Sequence, residues 1–140
     1  IIKDEDKIDF PISRGLSGKM VARPSTAYSL TVAEEADEEG RDAITLFDVV
    51  KRYPQYTLLT VKTLTGRTHQ IRTHLKAYGH SIVADKLYAT RHQEIKEQLP
   101  QIFLHAERIG FFDLAGKWQE LHASVPTVLT DFLETLHETK

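Results

Sequence analysis

An α+β fold, with a mixed, mostly antiparallel sheet and helices flanking it, is what this sequence predicts, and three patterns carry that expectation. β-branched and aromatic residues gather in short runs bounded by turn formers, as they do in hairpins. Apolar residues recur at helical spacing after Gly66 and again after Pro126. Strands and helices show no strict alternation of the kind that builds a parallel sheet, and with no repeat and no linker the 140 residues read as one folding unit, 1–140.

Each element has its own signal. Residues 1–23 mix aliphatics with Pro11, Gly15, Ser17 and Gly18 and leave room for a short strand over 19–22. Residues 28–32 alternate as a strand does, and the acidic stretch 34–42 that follows reads as an exposed loop turning at Gly40. Residues 43–52 and 56–62 form a hairpin around Pro54 and Gln55. Beyond Gly66 the period changes. Ile71, Leu75 and Tyr78 fall at i, i+4 and i+7, one face of a helix ending near Gly79, while His69, Arg72, Thr73 and Lys76 share another face. A strand over 81–84, a polar helix over 91–99 closed by Pro100, and a hairpin of 102–113 with 118–125 around Gly116 come next. Pro126 then opens a last helix whose Val128, Leu129, Phe132, Leu133 and Leu136 should pack on the sheet.

The net charge of −2 conceals an uneven distribution. The 34–42 stretch holds six acids and one base of the chain's 20 and 18, so 14 acids face 17 bases elsewhere. Between Val49 and Ala84 there is no acidic residue, while Lys51, Arg52, Lys62, Arg67, Arg72 and Lys76 supply positive charge. Such a segment suits a phosphate-bearing partner, or is simply a solvated face. The chain lacks cysteine, so disulfides and thiolate metal sites are excluded, and His69 and His74 sit five residues apart, on different helical faces. No metal site is expected. No apolar run reaches membrane-spanning length, no signal-peptide core opens the chain, and a cytoplasmic location is expected.

Candidate chemistry narrows to a few residues. Gly15-Leu16-Ser17-Gly18-Lys19 lacks the spacing of a phosphate loop or a nucleophile elbow and reads as a turn. His105, between Leu104 and Ala106 in a predicted strand, reads as a hydrogen-bonded core histidine, and Asp85 as a turn cap or a carboxylate base. Arg72 lies one helical turn from Lys76 and near Arg67, without a local acid, and its planar fork calls for a phosphate or a carboxylate.

The run Thr65-Gly66-Arg67-Thr68-His69-Gln70-Ile71-Arg72-Thr73-His74-Leu75, followed by Gly79, His80, Ile82, Asp85 and Tyr88, resembles the signature of the RluA-type RNA pseudouridine synthases. Leu104-His105-Ala106 resembles a second element of that family, and Pro11-Ile12, Lys19-Met20-Val21 and residues 43–47 follow its order. The resemblance implies half of a pseudouridine synthase catalytic fold, isomerising uridine to pseudouridine in ribosomal or transfer RNA without a cofactor. It implies that Arg72 forms a salt bridge with the catalytic aspartate, that Arg67 and His69 support the RNA or the motif's own turn, and that Leu104 walls the uracil pocket, while the acid-free segment assigns RNA binding to Lys62, Arg67 and Lys76. Ser81 stands where the family usually has proline, and Ala84 and Ala89 where it has glycine. The family's Arg-Leu-Asp element with its nucleophile is absent from these residues. The chain is therefore expected to be the C-terminal part of the catalytic domain, inactive alone, with the N-terminal half as its partner and an unpaired sheet edge open to self-association. A non-catalytic RNA-binding module that keeps the basic helix, or a structural fragment, are the alternatives.

Overall fold

The computed structural model describes residues 1–23, 40–89 and 99–136. The expected strand over 28–32, most of the acidic loop and the helix over 91–99 (all but Leu99) lie outside the described residues.

Among the described residues the strands form three antiparallel sheets. β1 (Glu5–Ile8), β4 (Thr45–Arg52) and β5 (Thr57–Thr63) form a three-stranded sheet in the order β1-β4-β5. β2 (Ile12–Arg14) pairs with β3 (Met20–Ala22), and β6 (Arg108–Phe112) pairs with β7 (Trp118–His122). The β4–β5 hairpin is the one its pattern predicts, closed by the Tyr53 amide donating to the Tyr56 carbonyl at 2.8 Å. β1 escapes a propensity reading because Glu5-Asp6-Lys7-Ile8 is mostly charged; it is an edge strand that buries only Ile8.

α1 (Gln70–Ala77) and α2 (Thr127–Thr135) complete the fold. Tyr78 caps α1, Gly79 follows at φ 94°, and the amides of Gly79 and His80 donate to Lys76 and Leu75. This double closure needs a left-handed residue after the cap, which glycine adopts without strain. Ile8, Phe47 and Leu75 form the core between sheet and helix, surrounded by Val49, Leu59, Val61, Ile71, Tyr78 and Ile82. The Tyr78 ring meets Phe47 edge-on at 5.5 Å, and its hydroxyl donates to Asp6 at 2.6 Å. Lys3, Tyr78 and the Lys7 amide together hold the Asp6 carboxyl down at about 2.

The structure corrects four expectations. Residues 81–84 form turns and no strand: Ala84 adopts φ 58°, and the Asp85 amide bonds back to Ile82 at 3.2 Å. Of 102–113 only Arg108–Phe112 is strand, because the preceding segment turns aside, Phe103 donating to the Val83 carbonyl at 2.9 Å. Thr73 leaves the polar face of α1; it is buried, its hydroxyl bonding the carbonyls of His69 and Gln70. Pro126 caps α2 from outside its first turn, and the helix buries Leu129 while setting Phe132 against Tyr56, just before β5, and Phe103. Among the described residues no helix is long and apolar enough to cross a membrane.

Candidate functional site

The segment 65–70 turns from β5 into α1 and is tied to β4 by Gln70. The buried Gln70 carboxamide donates to the Ile44 carbonyl (2.9 Å) and the Thr45 hydroxyl (3.1 Å), and it accepts from the Thr65 hydroxyl (2.8 Å) and the Arg67 amide (3.0 Å). All four bonding sites of the carboxamide are used, which fixes the loop against β4. Arg67 is exposed, its Nε donating to the Asp42 carbonyl at 3.0 Å.

His74 points inward. Its Nε2 must donate to the Phe10 carbonyl at 2.8 Å, which leaves Nδ1 to accept from the Thr45 hydroxyl at 2.9 Å. Burial pushes its pKa down, against weaker opposition from the Phe10 carbonyl and Asp9, so it is a neutral structural histidine.

Arg72 and Asp85 form the electrostatic centre. Nε donates to Oδ2 at 2.8 Å and Nη2 to Oδ1 at 2.7 Å, a bidentate pair in which the carboxylate is fully buried. Asp85 also caps its own turn, accepting from the amides of Leu87 (3.0 Å) and Tyr88 (3.1 Å). Burial alone would raise its pKa, but the Arg72 fork and the two amides outweigh burial and hold the carboxyl below its ordinary range. The hydrogen bonds that Arg72 donates to Asp85 in turn raise the Arg72 pKa. Nη1 of Arg72 makes no hydrogen bond to a described residue, so one edge of the guanidinium remains for a second acceptor.

Tyr88 gathers the site. Its buried ring lies under the Arg72 guanidinium at 4.9 Å and the Lys76 ammonium at 5.9 Å, and it meets the His69 ring edge-on at 5.6 Å. Its hydroxyl accepts the Met20 amide at 3.2 Å and lies 2.9 Å from His69 Nδ1. The sequence reads Asp85 as a turn cap or a carboxylate base, without an arginine partner, and Tyr88 as a motif position without a role. Their signal was available in Asp85's place after the helix, within reach of an arginine that had no local acid.

The structure thus brings Arg72, His69 and Lys76 together around Tyr88. Lys62 is exposed on β5, and its described contacts do not include that group. Leu104 is 36% exposed and sits beside Phe103, whose amide bonds Val83, two residues before Asp85. Arg52 is engaged elsewhere, binding Asp4 at 2.6 Å and the carbonyls of Ile2 and Lys3. His105 is half-buried and donates from Nε2 to the Ala123 carbonyl at 3.0 Å, as a structural histidine does. Among the described residues no group of acids and histidines could hold a metal ion.

Residues 1–77 match the family model described as RNA pseudouridylate synthase. An uncharacterised RNA pseudouridine synthase of Chloroflexus aurantiacus is 39% identical over 101 residues, covering 71% of this chain and 31% of that protein. The dual-specificity RNA pseudouridine synthase RluA of Vibrio cholerae is 41% identical over 81 residues, covering 58% of this chain and 32% of its own length. The chain matches about a third of the length of these relatives. The structure of human RNA pseudouridylate synthase domain containing 1 superposes with a TM-score of 0.71 at 21% identity, covering 99% of this chain and 62% of that one, a likeness of fold.

Proposed function

The chain belongs to the RNA pseudouridylate synthase family, in its RluA-type branch, and from that premise we propose that it furnishes the arginine half of an enzyme isomerising uridine to pseudouridine in ribosomal or transfer RNA. The observation that carries the reading is the clamped guanidinium of Arg72, fixed by Asp85 on two nitrogens and by the Tyr88 face below, with Nη1 left over. A guanidinium so held aims its remaining donor in one direction, where it orients a second carboxylate and keeps it ionised.

That second carboxylate is the nucleophilic aspartate, contributed by an Arg-Leu-Asp element outside these 140 residues. The isomerisation breaks the bond between N1 and C1′, turns the uracil, and forms the bond between C5 and C1′. The C5 proton leaves to water and N1 takes up a proton, so atoms balance and no cofactor is needed. The target base leaves its stack to react, and exposed cations hold the backbone meanwhile. Arg67, His69, Lys76 and Lys62 take that task, and Leu104 walls the base pocket.

Two observations support the half-site reading. The relatives are about three times the length of the matched stretch. The β6–β7 hairpin exposes Ile109 and Leu121 on one face and Phe112 and Trp118 on the other, each more than half accessible, apolar surface that the other half of the domain covers. Residues 1–140 alone are accordingly inactive and prone to self-association, and the complete enzyme works in the cytoplasm.

Release of tritium from RNA carrying 5-tritiated uridine tests the reading. The full-length enzyme should release it and residues 1–140 alone should not. Turnover by the 140-residue chain, abolished by mutating an aspartate within it, would overturn the half-site assignment.

A further inference from the structure

The turn at 15–19 has no task in the chemistry above, yet it rims an open cleft of about 390 Å³ between the β2–β3 hairpin and the start of α1. Arg14, Lys19, Met20, His69, Leu87 and Tyr88 line it, with no carboxylate among the lining residues. Arg14 and Lys19 are exposed on facing arms of the hairpin, where the Gly15 amide bonds the Lys19 carbonyl at 2.8 Å. Among the described residues neither forms an ion pair; Arg14 makes one long bond, 3.4 Å, to the Gly18 carbonyl. Two cations therefore line the cleft with no described carboxylate paired to either.

The third donor follows from proton accounting. Burial raises the pKa of Tyr88, so its hydroxyl keeps its proton at neutral pH. The oxygen accepts from the Met20 amide, and the hydroxyl hydrogen needs an acceptor, for which His69 Nδ1 at 2.9 Å is the nearest described group. With Nδ1 accepting the hydroxyl hydrogen, the ring's own hydrogen sits on Nε2. His69 also holds φ 54°, a left-handed conformation costly for a side-chain-bearing residue, so the ring is placed there against local backbone preference. One buried hydroxyl thus locks the hairpin strand and the histidine together.

We propose that this cleft is a second phosphate clamp, in which Arg14, Lys19 and the Nε2–H of His69 hold the phosphodiester backbone of an RNA strand, with Tyr88 as the residue that positions both sides. An open cleft with its donors spread over two elements suits a strand passing across it better than an enclosed small anion. The proposal rests on the RNA reading above, and adds to it Arg14 and Lys19, to which that reading gives no role.

The test is binding of a fluorescent single-stranded oligouridylate by the full-length enzyme over a range of salt concentrations, with inorganic phosphate as competitor. Arg14→Gln and Lys19→Gln should each weaken binding and make the slope of log affinity against log salt shallower by about 0.7. Tyr88→Phe should convert the His69 ring, read by its ¹⁵N resonances, from the Nε2–H form to a mixture of tautomers. It should also lower affinity as much as His69→Ala, with no further loss in the double variant. An unchanged salt slope in Arg14→Gln/Lys19→Gln, or a wild-type enzyme without affinity for the strand, overturns the clamp. So does displacement of the strand by inorganic phosphate at equal phosphate concentration, which would mark a free-anion site. Tritium release separates the two readings: hairpin variants that isomerise normally at saturating RNA leave the enzyme assignment intact. A wild type that never isomerises but shows the hairpin-dependent slope would sink that assignment alone.

Discussion

Arg72 and Asp85 face each other fork to fork, two hydrogen bonds of 2.8 and 2.7 Å joining a half-buried guanidinium to a carboxylate with no solvent contact. Asp85 is bound at the same time to the amides that begin its own turn, so the pair couples α1 to the segment behind it.

Asp85→Asn tests that coupling. It preserves the shape but strands a partly buried cation, and breaking such a pair costs roughly 3–5 kcal/mol. Urea unfolding should show a loss of that size, and the complete enzyme should lose turnover more than RNA affinity. A wild-type unfolding midpoint would mean that the pair contributes no more than a surface contact.

Gln70 should be nearly as sensitive as any core residue. Gln70→Ala leaves the Arg67 amide and the Thr65 hydroxyl hydrogen without their acceptor, at about 1–3 kcal/mol for each group left unpaired out of water, while the Ile44 carbonyl keeps only the Leu64 amide. Gln70→Glu should fare little better, since it cannot donate to Ile44. Denaturation curves for the two variants check both statements.

His74 predicts a pH dependence whose sign is fixed by its lowered pKa. The unfolded chain takes up a proton near the ordinary histidine value of about 6.5, which the buried ring resists. The contribution is complete above that value and is lost as pH falls through it toward the folded pKa. His80, also lowered by burial, adds the same sign. Thermal melts from about pH 8 to 5.5 should therefore fall in midpoint, and His74→Gln should flatten the fall without removing it. A midpoint that rose on acidification would contradict the tautomer assigned to His74.

Much of this was legible in the sequence because the signals were local. Ile71, Leu75 and Tyr78 do face the core, Gly79 does end the helix, and Pro54-Gln55 does turn the hairpin. What failed was non-local. β1 exists because β4 offers it an edge, which no propensity in Glu5-Asp6-Lys7 encodes. Thr73 reads as polar surface, but its hydroxyl is satisfied by its own helix and can be buried. Asp85 read as a cap or a base, and it is a cap that also holds an arginine thirteen residues away. Arg52 reads as one of the free cations of the acid-free segment, yet Asp4 and the N-terminal carbonyls claim it.

In the proposed enzyme Arg72 belongs to the chemistry of uridine isomerisation and Lys76 to RNA binding. Single-turnover pseudouridine formation by the full-length enzyme at saturating RNA measures this directly. Arg72→Lys keeps the charge but cannot reproduce the fork, and misplacing a reacting group by about 1 Å can cost about 10²-fold. The rate should fall by that order in Arg72→Lys and stay near wild type in Lys76→Ala, whose defect should lie in affinity. A near-normal rate for Arg72→Lys, with weakened binding alone, would contradict the account.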